Sequence, residues 1–86
     1  MTARSFVSDK ALKTAIANDC PGVSFRYVAE WNEYQVTPTG SGPRPDYDRP
    51  ETAFIDKGHD PQEYDANRAE LYHAARMISA RVNIAA

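Results

Sequence analysis

The residues best suited to chemistry in this chain are two histidines, one cysteine and a scattered set of carboxylates. A metal site would need His59 and His73 close together with a third ligand. His59 precedes a predicted helix, whereas His73 falls on the outer face of that helix. The sequence also contains no H-E-x-x-H motif and no paired-cysteine spacing. We therefore expect no metal site and no bound cofactor.

Nucleophilic and acid–base chemistry are also disfavoured. Cys20 lies at the end of a predicted helix beside Asp19, and both features raise the pKa of a thiol, so we expect a packing residue. Asp60 and Glu63 are assigned to helix capping, and we expect the remaining acids to be solvated. Calcium-loop, phosphate-loop and G-x-S-x-G spacings are absent. We therefore expect a protein that is not an enzyme.

Aromatic and charged residues in two predicted turns are the better candidates for function. Trp31 lies in a hairpin turn, and Tyr47 lies in a loop between Asp46 and Asp48, with Arg49 next. Aromatic side chains and arginine are enriched among the residues that anchor protein interfaces. These five residues are our candidate partner-binding site. The alternative is that Trp31 folds back over the core.

The long helix predicted over residues 60–82 organises the rest of the chain. Asp60 is a suitable N-cap, Pro61 suits the first helical position, and Glu63 completes a capping box. Helical spacing places one apolar stripe on this helix, which the remaining elements must cover: Tyr64, Leu71, Ala75, Ile78 and Val82. The opposite face is smooth, and an alternative use for it is packing in a homodimer through Ala69, His73, Arg76 and Ala80.

A shorter helix is predicted before it, over residues 9–18. Ser8 is suited to cap this helix, and Val7 and Leu12 have the spacing of a hydrophobic staple. Leu12, Ala15 and Ile16 form its apolar face. Pro21 and Gly22 end it.

Three strands are predicted between the helices. A four-residue turn over 29–32 would place Tyr27 opposite Tyr34 and Phe25 opposite Val36, so that both apolar sets share one face of a hairpin. Residues 39–50 contain two glycines and three prolines and are predicted to form a loop. Residues 52–56 form a short third strand, with either Phe54 or the pair of Ala53 and Ile55 facing the helices.

The predicted fold is a single α+β domain spanning residues 1–86. A three-stranded antiparallel sheet packs against two helices in the order α-β-β-β-α. Neither a membrane-length apolar run nor the apolar core of a signal peptide is present, and the single cysteine agrees with a reducing compartment. We therefore expect a cytoplasmic protein that does not bind membranes.

The net charge of −2 conceals an uneven distribution. Residues 46–70 hold eight acids and three bases, whereas the rest of the chain holds four acids and seven bases. The acidic part argues against nucleic acid docking there. A basic surface formed by Arg4, Lys10, Lys13 and Arg26, together with the exposed sheet face, is the alternative that would bind nucleic acid.

Two resemblances accompany these patterns. The order α-β-β-β-α resembles the double-stranded RNA-binding domain, but the residues that family uses for RNA are replaced here by the turn AEWN at 29–32 and the helix start DPQEYD at 60–65. Separately, WNEYQV at 31–36, TAF at 52–54 and AARM at 74–77 resemble short orphan proteins of phages and plasmids. Anti-CRISPR inhibitors are among the proteins of this size from such elements.

The sequence therefore predicts a small non-enzymatic interaction protein, encoded by a phage or other mobile element, that exists as a monomer or homodimer. The resemblance implies a host protein complex as its partner. We expect the acidic loop and helix start to form the binding surface, which could also occupy a nucleic-acid channel on that partner by presenting carboxylates in place of phosphates.

Overall fold

The computed structural model describes residues 5–39 and 44–85, and the predicted order of elements is confirmed. Helix α1 (Asp9–Asp19) is followed by strands β1 (Val23–Val28), β2 (Glu33–Pro38) and β3 (Ala53–Asp56), and then by helix α2 (Pro61–Ala85). Both helices pack on the same face of the antiparallel sheet, whose strand order is β1-β2-β3. The protein is therefore a two-layer α+β domain. No helix in the described part of the chain combines the length and the apolar character that a membrane crossing requires.

The strand register follows the predicted alternation residue for residue. Tyr27 pairs with Tyr34, and Phe25 pairs with Val36. The third strand resolves the choice left open by its sequence, because Ala53 and Ile55 pack against the core and Phe54 faces outward with 53% of its surface exposed. The register therefore matches the amphipathic pattern across the sheet.

Helix α1 begins at the predicted cap, since the Ser8 hydroxyl accepts a hydrogen bond from the Ala11 amide at 3.1 Å. The predicted staple is wrong. Val7 is 91% exposed, whereas Phe6 is 4% exposed, with its ring centroid 5.0 Å from that of Tyr72. A phenyl ring buries more apolar surface than a valine side chain, so the core gains more from Phe6 than it would from Val7.

Helix α2 begins where the capping residues predict and extends three residues beyond the predicted end. The Asp60 carboxylate accepts hydrogen bonds from the amides of Gln62 and Glu63, both at 3.0 Å. The Glu63 carboxylate accepts from the amide of His59, one residue before the position that a capping box uses. The predicted stripe faces the core, with Leu71, Ala75 and Ile78 buried and Tyr64 and Val82 partly buried.

Candidate functional site

The turn between β1 and β2 is held in place by bonds to both neighbouring strands. Residues Ala29–Trp31 form a single 3-10 turn, which Asn32 closes in the left-handed region with φ of 47°. The Asn32 side chain accepts a hydrogen bond from the Tyr27 hydroxyl at 2.8 Å and donates one to the Gly58 carbonyl at 2.7 Å. Its carbonyl accepts from the Lys57 amide at 2.9 Å. The turn that carries Trp31 is therefore fixed to both β1 and the end of β3.

Trp31 projects from this fixed turn with 63% of its surface exposed, which decides against its folding back over the core. Phe54, also exposed, lies opposite Gln35, and Asp56 lies opposite Glu33. Glu33 is the first residue of β2 after the turn and Gln35 is the third, so Phe54 pairs with β2 close to the turn. We call the group formed by Trp31, Phe54, Glu30, Glu33 and Asp56 the hairpin patch. It combines two exposed aromatic rings with three carboxylates.

The segment 44–51, which contains the described end of the loop predicted over 39–50, packs against the outer face of the sheet. The Tyr47 hydroxyl lies 3.0 Å from the Ser24 hydroxyl, and the Arg26 guanidinium lies 4.0 Å from the centre of the Tyr47 ring. The Thr37 hydroxyl donates to the Asp46 carbonyl at 2.9 Å. Thr37 is buried although it points away from the helices, which shows that this loop segment shields part of the outer face. Residues 40–43 of the predicted loop lie outside the described residues.

The five predicted site residues do not form one cluster. Asp46, Tyr47, Asp48 and Arg49 share a single turn, with Asp46 and Asp48 exposed. The Asp46 carboxylate accepts from the Asp48 amide at 3.0 Å, and Arg49 lies 3.5 Å from Glu51. Tyr47 bonds near the start of β1, whereas Trp31 lies beyond its end. The structure therefore separates the hairpin turn from the acidic loop.

Sequence reasoning missed a polar cluster that forms around Asp9. One oxygen of its carboxylate accepts from the Tyr34 hydroxyl at 2.6 Å and from Arg68 Nε at 2.9 Å, and the other accepts from Lys57 Nζ at 3.0 Å. Arg68 also donates to the Phe6 carbonyl at 3.2 Å. We call Asp9, Tyr34, Lys57 and Arg68 the Asp9 network. Lys57 and Arg68 are two of the three bases in the acidic stretch 46–70, which was the available sequence signal.

The protonation states of this network are fixed by its hydrogen bonds. Burial alone would raise the pKa of Asp9, but the bonds from Tyr34, Lys57 and Arg68 outweigh burial and lower it below its ordinary 3.8. Burial and the bond to Asp9 raise the pKa of Tyr34, so its hydroxyl remains a donor at neutral pH. The network is thus an ionised carboxylate held by two cations and a phenol, an arrangement suited to joining elements.

The residues considered for metal or nucleophilic chemistry are placed as follows. His59 and His73 are both exposed. Within residues 5–39 and 44–85, no three His, Cys, Asp or Glu side chains lie close enough to hold a metal ion. Cys20 is buried, and burial together with the neighbouring Asp19 raises the pKa of its thiol. The thiol is therefore protonated at neutral pH.

The face considered for a homodimer lies on the outer side of α2. His73, Arg76 and Ala80 are exposed there, and Ala69 is partly buried. Met77 is 47% exposed on the same helix. The homodimer remains a prediction.

Comparison of the chain with protein-family models, with curated proteins and with solved structures finds no match.

Proposed function

We propose that this chain is a small non-enzymatic protein-binding module, encoded by a phage or other mobile element, that acts on a host protein complex. The observation that carries the proposal is the exposed Trp31 on a turn that three hydrogen bonds fix to the neighbouring strands. An aromatic side chain held in a fixed position loses little conformational freedom on binding, which is why such residues anchor interfaces.

The energetic scale supports an anchoring role for Trp31. A tryptophan side chain buries roughly 200 Å² when fully covered, and 63% of this residue is exposed. Covering that remaining surface contributes on the order of 3 kcal/mol. Phe54, 53% exposed, adds a second apolar contact close to the turn. The hairpin patch therefore contains enough apolar surface for the centre of a small interface.

The charges of the hairpin patch indicate a partner of complementary sign. Glu30, Glu33 and Asp56 belong to the same patch as the two aromatic rings, and Glu30 and Asp56 are exposed. The exposed Asp46 and Asp48 add acidic groups on the separate loop. A basic partner surface, such as a nucleic-acid channel in a host complex, would be complementary. In this proposal Tyr47 positions the loop through its contacts with Ser24 and Arg26 and is not an anchor itself.

Replacement of Trp31 tests the proposal directly. We expect Trp31→Ala to weaken binding of the host partner by about thirtyfold, the effect of losing a 2 kcal/mol anchor. The partner is first captured from nuclease-treated bacterial lysate with the tagged wild-type protein. Its affinity for each variant is then measured by calorimetry.

Met77→Ala is the matched control because Met77 is also a large exposed apolar residue, but it lies on α2. It should bind as the wild type does. If Trp31→Ala retains full affinity while its circular dichroism and unfolding midpoint are unchanged, Trp31 is not the anchor and the proposal fails.

The alternative function is nucleic-acid binding through basic residues. One observation favours it: the structure brings Lys10, Lys13 and Arg26 to a single groove. Arg4, the fourth predicted residue, lies outside the described residues. The sheet face that would accompany this surface is partly shielded by the loop segment 44–51, and Glu33 adds negative charge to it. We therefore rank this function second.

A further inference from the structure

A groove runs between helix α1 and the free edge of strand β1, on a side of the molecule that the proposed function does not use. It encloses about 330 Å³ and is lined by Asp9, Lys10 and Lys13 from α1 and by Phe25, Arg26 and Tyr27 from β1. Lys10 and Lys13 are three residues apart and so share one face of the helix. All three cations are exposed, and Tyr27 is 37% exposed.

Within the described residues, the edge of β1 that faces away from β2 has no neighbouring strand, and it presents its free backbone groups to this groove. The Thr39 amide donates to the Gly22 carbonyl at 2.7 Å, which fixes the alternation of the β1–β2 ladder. The backbone groups of Ser24, Arg26 and Val28 accordingly point toward β2. Those of Phe25 and Tyr27 point off the sheet, toward the groove. The bond from the Lys57 amide to the Asn32 carbonyl fixes the alternation of the β2–β3 ladder. That alternation agrees with the one between β1 and β2.

The fixed charge of the groove is positive. Asp9 is its single acid among the lining residues, and Lys57 at 3.0 Å and Arg68 at 2.9 Å already balance that carboxylate. Lys10 and Lys13 have no such carboxylate partner in the described part of the chain. Arg26 bonds through Nε to the neutral Gln35 side chain at 2.7 Å, and its guanidinium lies 4.0 Å from the centre of the Tyr47 ring, so neither contact is with a carboxylate. A ligand in the groove therefore meets three cations whose charge no carboxylate among the lining residues balances.

We propose that β1 accepts an extended acidic peptide segment of another protein as a fourth strand of the sheet. The backbone of the added segment would pair with the amides and carbonyls of Phe25 and Tyr27. Side chains of an added strand alternate between the two faces. Those on the helix side lie by Lys10 and Lys13, and those on the outer side lie by Arg26. The ligand is thus a strand with carboxylates at alternate positions facing α1.

The backbone pattern selects a peptide over a nucleic acid. The edge of β1 offers both donors and acceptors in alternation, and a peptide backbone offers both in return. A phosphodiester backbone carries acceptors but no donors, so it leaves the Phe25 and Tyr27 carbonyls unpaired. A cluster of three cations is also a small footprint for a nucleic acid, whose affinity depends on the number of phosphates contacted.

Fluorescence anisotropy with a short labelled peptide that alternates Glu and Val tests this inference in the full chain. We expect saturable binding that Lys10→Glu/Lys13→Glu weakens at least about tenfold. Arg44→Glu/Arg81→Glu is the matched control, because it changes the charge equally at exposed residues outside the groove, and it should bind almost as the wild type does. The wild type should also show chemical-shift changes at the Phe25 and Tyr27 amides in NMR spectra.

Two further probes make each outcome decisive. The same peptide with N-methylated central residues cannot pair along an edge, so binding as tight as that of the unmodified peptide would overturn the fourth-strand model. Stronger, steeply salt-dependent binding of oligothymidine would assign the groove to nucleic acid instead. If no peptide binds at concentrations up to about 1 mM, the inference is wrong. Lys10 and Lys13 would then serve only to prevent unwanted strand pairing at the exposed edge of β1.

Trp31→Ala leaves the groove intact, so the inference and the proposed function can fail independently. Loss of host-partner binding in Trp31→Ala with peptide binding retained would support two separate surfaces. Loss of peptide binding in Trp31→Ala, with an unchanged unfolding midpoint, would contradict the placement of the peptide on β1.

Discussion

At the residue scale, the contrast between Phe6 and Val7 shows how adjacent apolar residues acquire different roles. The backbone around Phe6 is fastened to α2, since the Asp65 carboxylate accepts from the Phe6 amide and Arg68 donates to the Phe6 carbonyl. We expect Phe6→Ala to lower the free energy of unfolding by about 3 kcal/mol, because it leaves a cavity against Tyr72. Urea denaturation followed by circular dichroism measures the loss.

Val7→Ala is the natural control for that substitution. Val7 is 91% exposed, so its truncation should change the free energy of unfolding by less than about 0.5 kcal/mol. Equal losses in both variants would contradict the packing of Phe6 on Tyr72. The sequence could not separate the two residues, because the capping spacing pointed to Val7 and the contact of Phe6 with α2 spans more than sixty positions of the chain.

At the element scale, the start of α2 depends on close backbone packing at Gly58. This glycine has φ of +97°, and a Cβ atom added there would lie 2.6 Å from the Glu63 Cβ. We expect Gly58→Ala to destabilise the fold by about 3 kcal/mol, through both the unfavourable φ and the clash. The midpoint of urea unfolding gives the size of the effect.

Gly22 provides a matched comparison for this prediction. Its φ is +84°, but an added Cβ would approach only the Val82 side chain, at 3.2 Å, which is less crowded than the 2.6 Å contact at Gly58. Gly22→Ala should therefore cost about 1 kcal/mol, chiefly for the backbone conformation. If the two substitutions lower the free energy of unfolding equally, the start of α2 can move to accommodate the added methyl group. The close contact at Gly58 would then not contribute to the cost of the substitution.

Elements with local signals were predictable, and contacts between them were not. The hairpin register followed from period-two alternation and the length of the turn at 29–32, both of which lie within sixteen residues of chain. The orientation of β3 did not follow, because Phe54 and Ile55 are both apolar and only packing against β2 and the helices distinguishes them. The packing of Tyr47 did not follow from the sequence for the same reason, since its contact with Arg26 joins distant parts of the chain.

At the scale of the whole molecule, the Asp9 network joins both helices to the sheet. Asp9 belongs to α1, Tyr34 to β2 and Arg68 to α2, and Lys57 follows β3. None of these contacts is local in sequence, which is why composition and periodicity did not reveal them. Removal of the central charge should therefore weaken the packing of several elements at once.

We expect Asp9→Asn to lower the free energy of unfolding by about 2 kcal/mol at neutral pH, since the amide keeps the Tyr34 bond but loses both ion pairs. The folded-state pKa of Asp9 lies below its ordinary 3.8. The stabilisation is therefore fully present above pH 3.8 and is lost as the pH falls through the lower, folded-state pKa. Urea unfolding of wild type and variant at about pH 6 and about pH 3 should show their difference shrinking with acid.

Asp48→Asn controls for the change in net charge, because Asp48 is exposed and its backbone bond to Asp46 survives the substitution. It should match the wild type at both pH values. The difference between Asp9→Asn and wild type, rather than the pH profile of either, isolates this group. A difference that stayed constant into acid would mean that Asp9 contributes packing alone, and that the joining of helices to sheet does not depend on its charge.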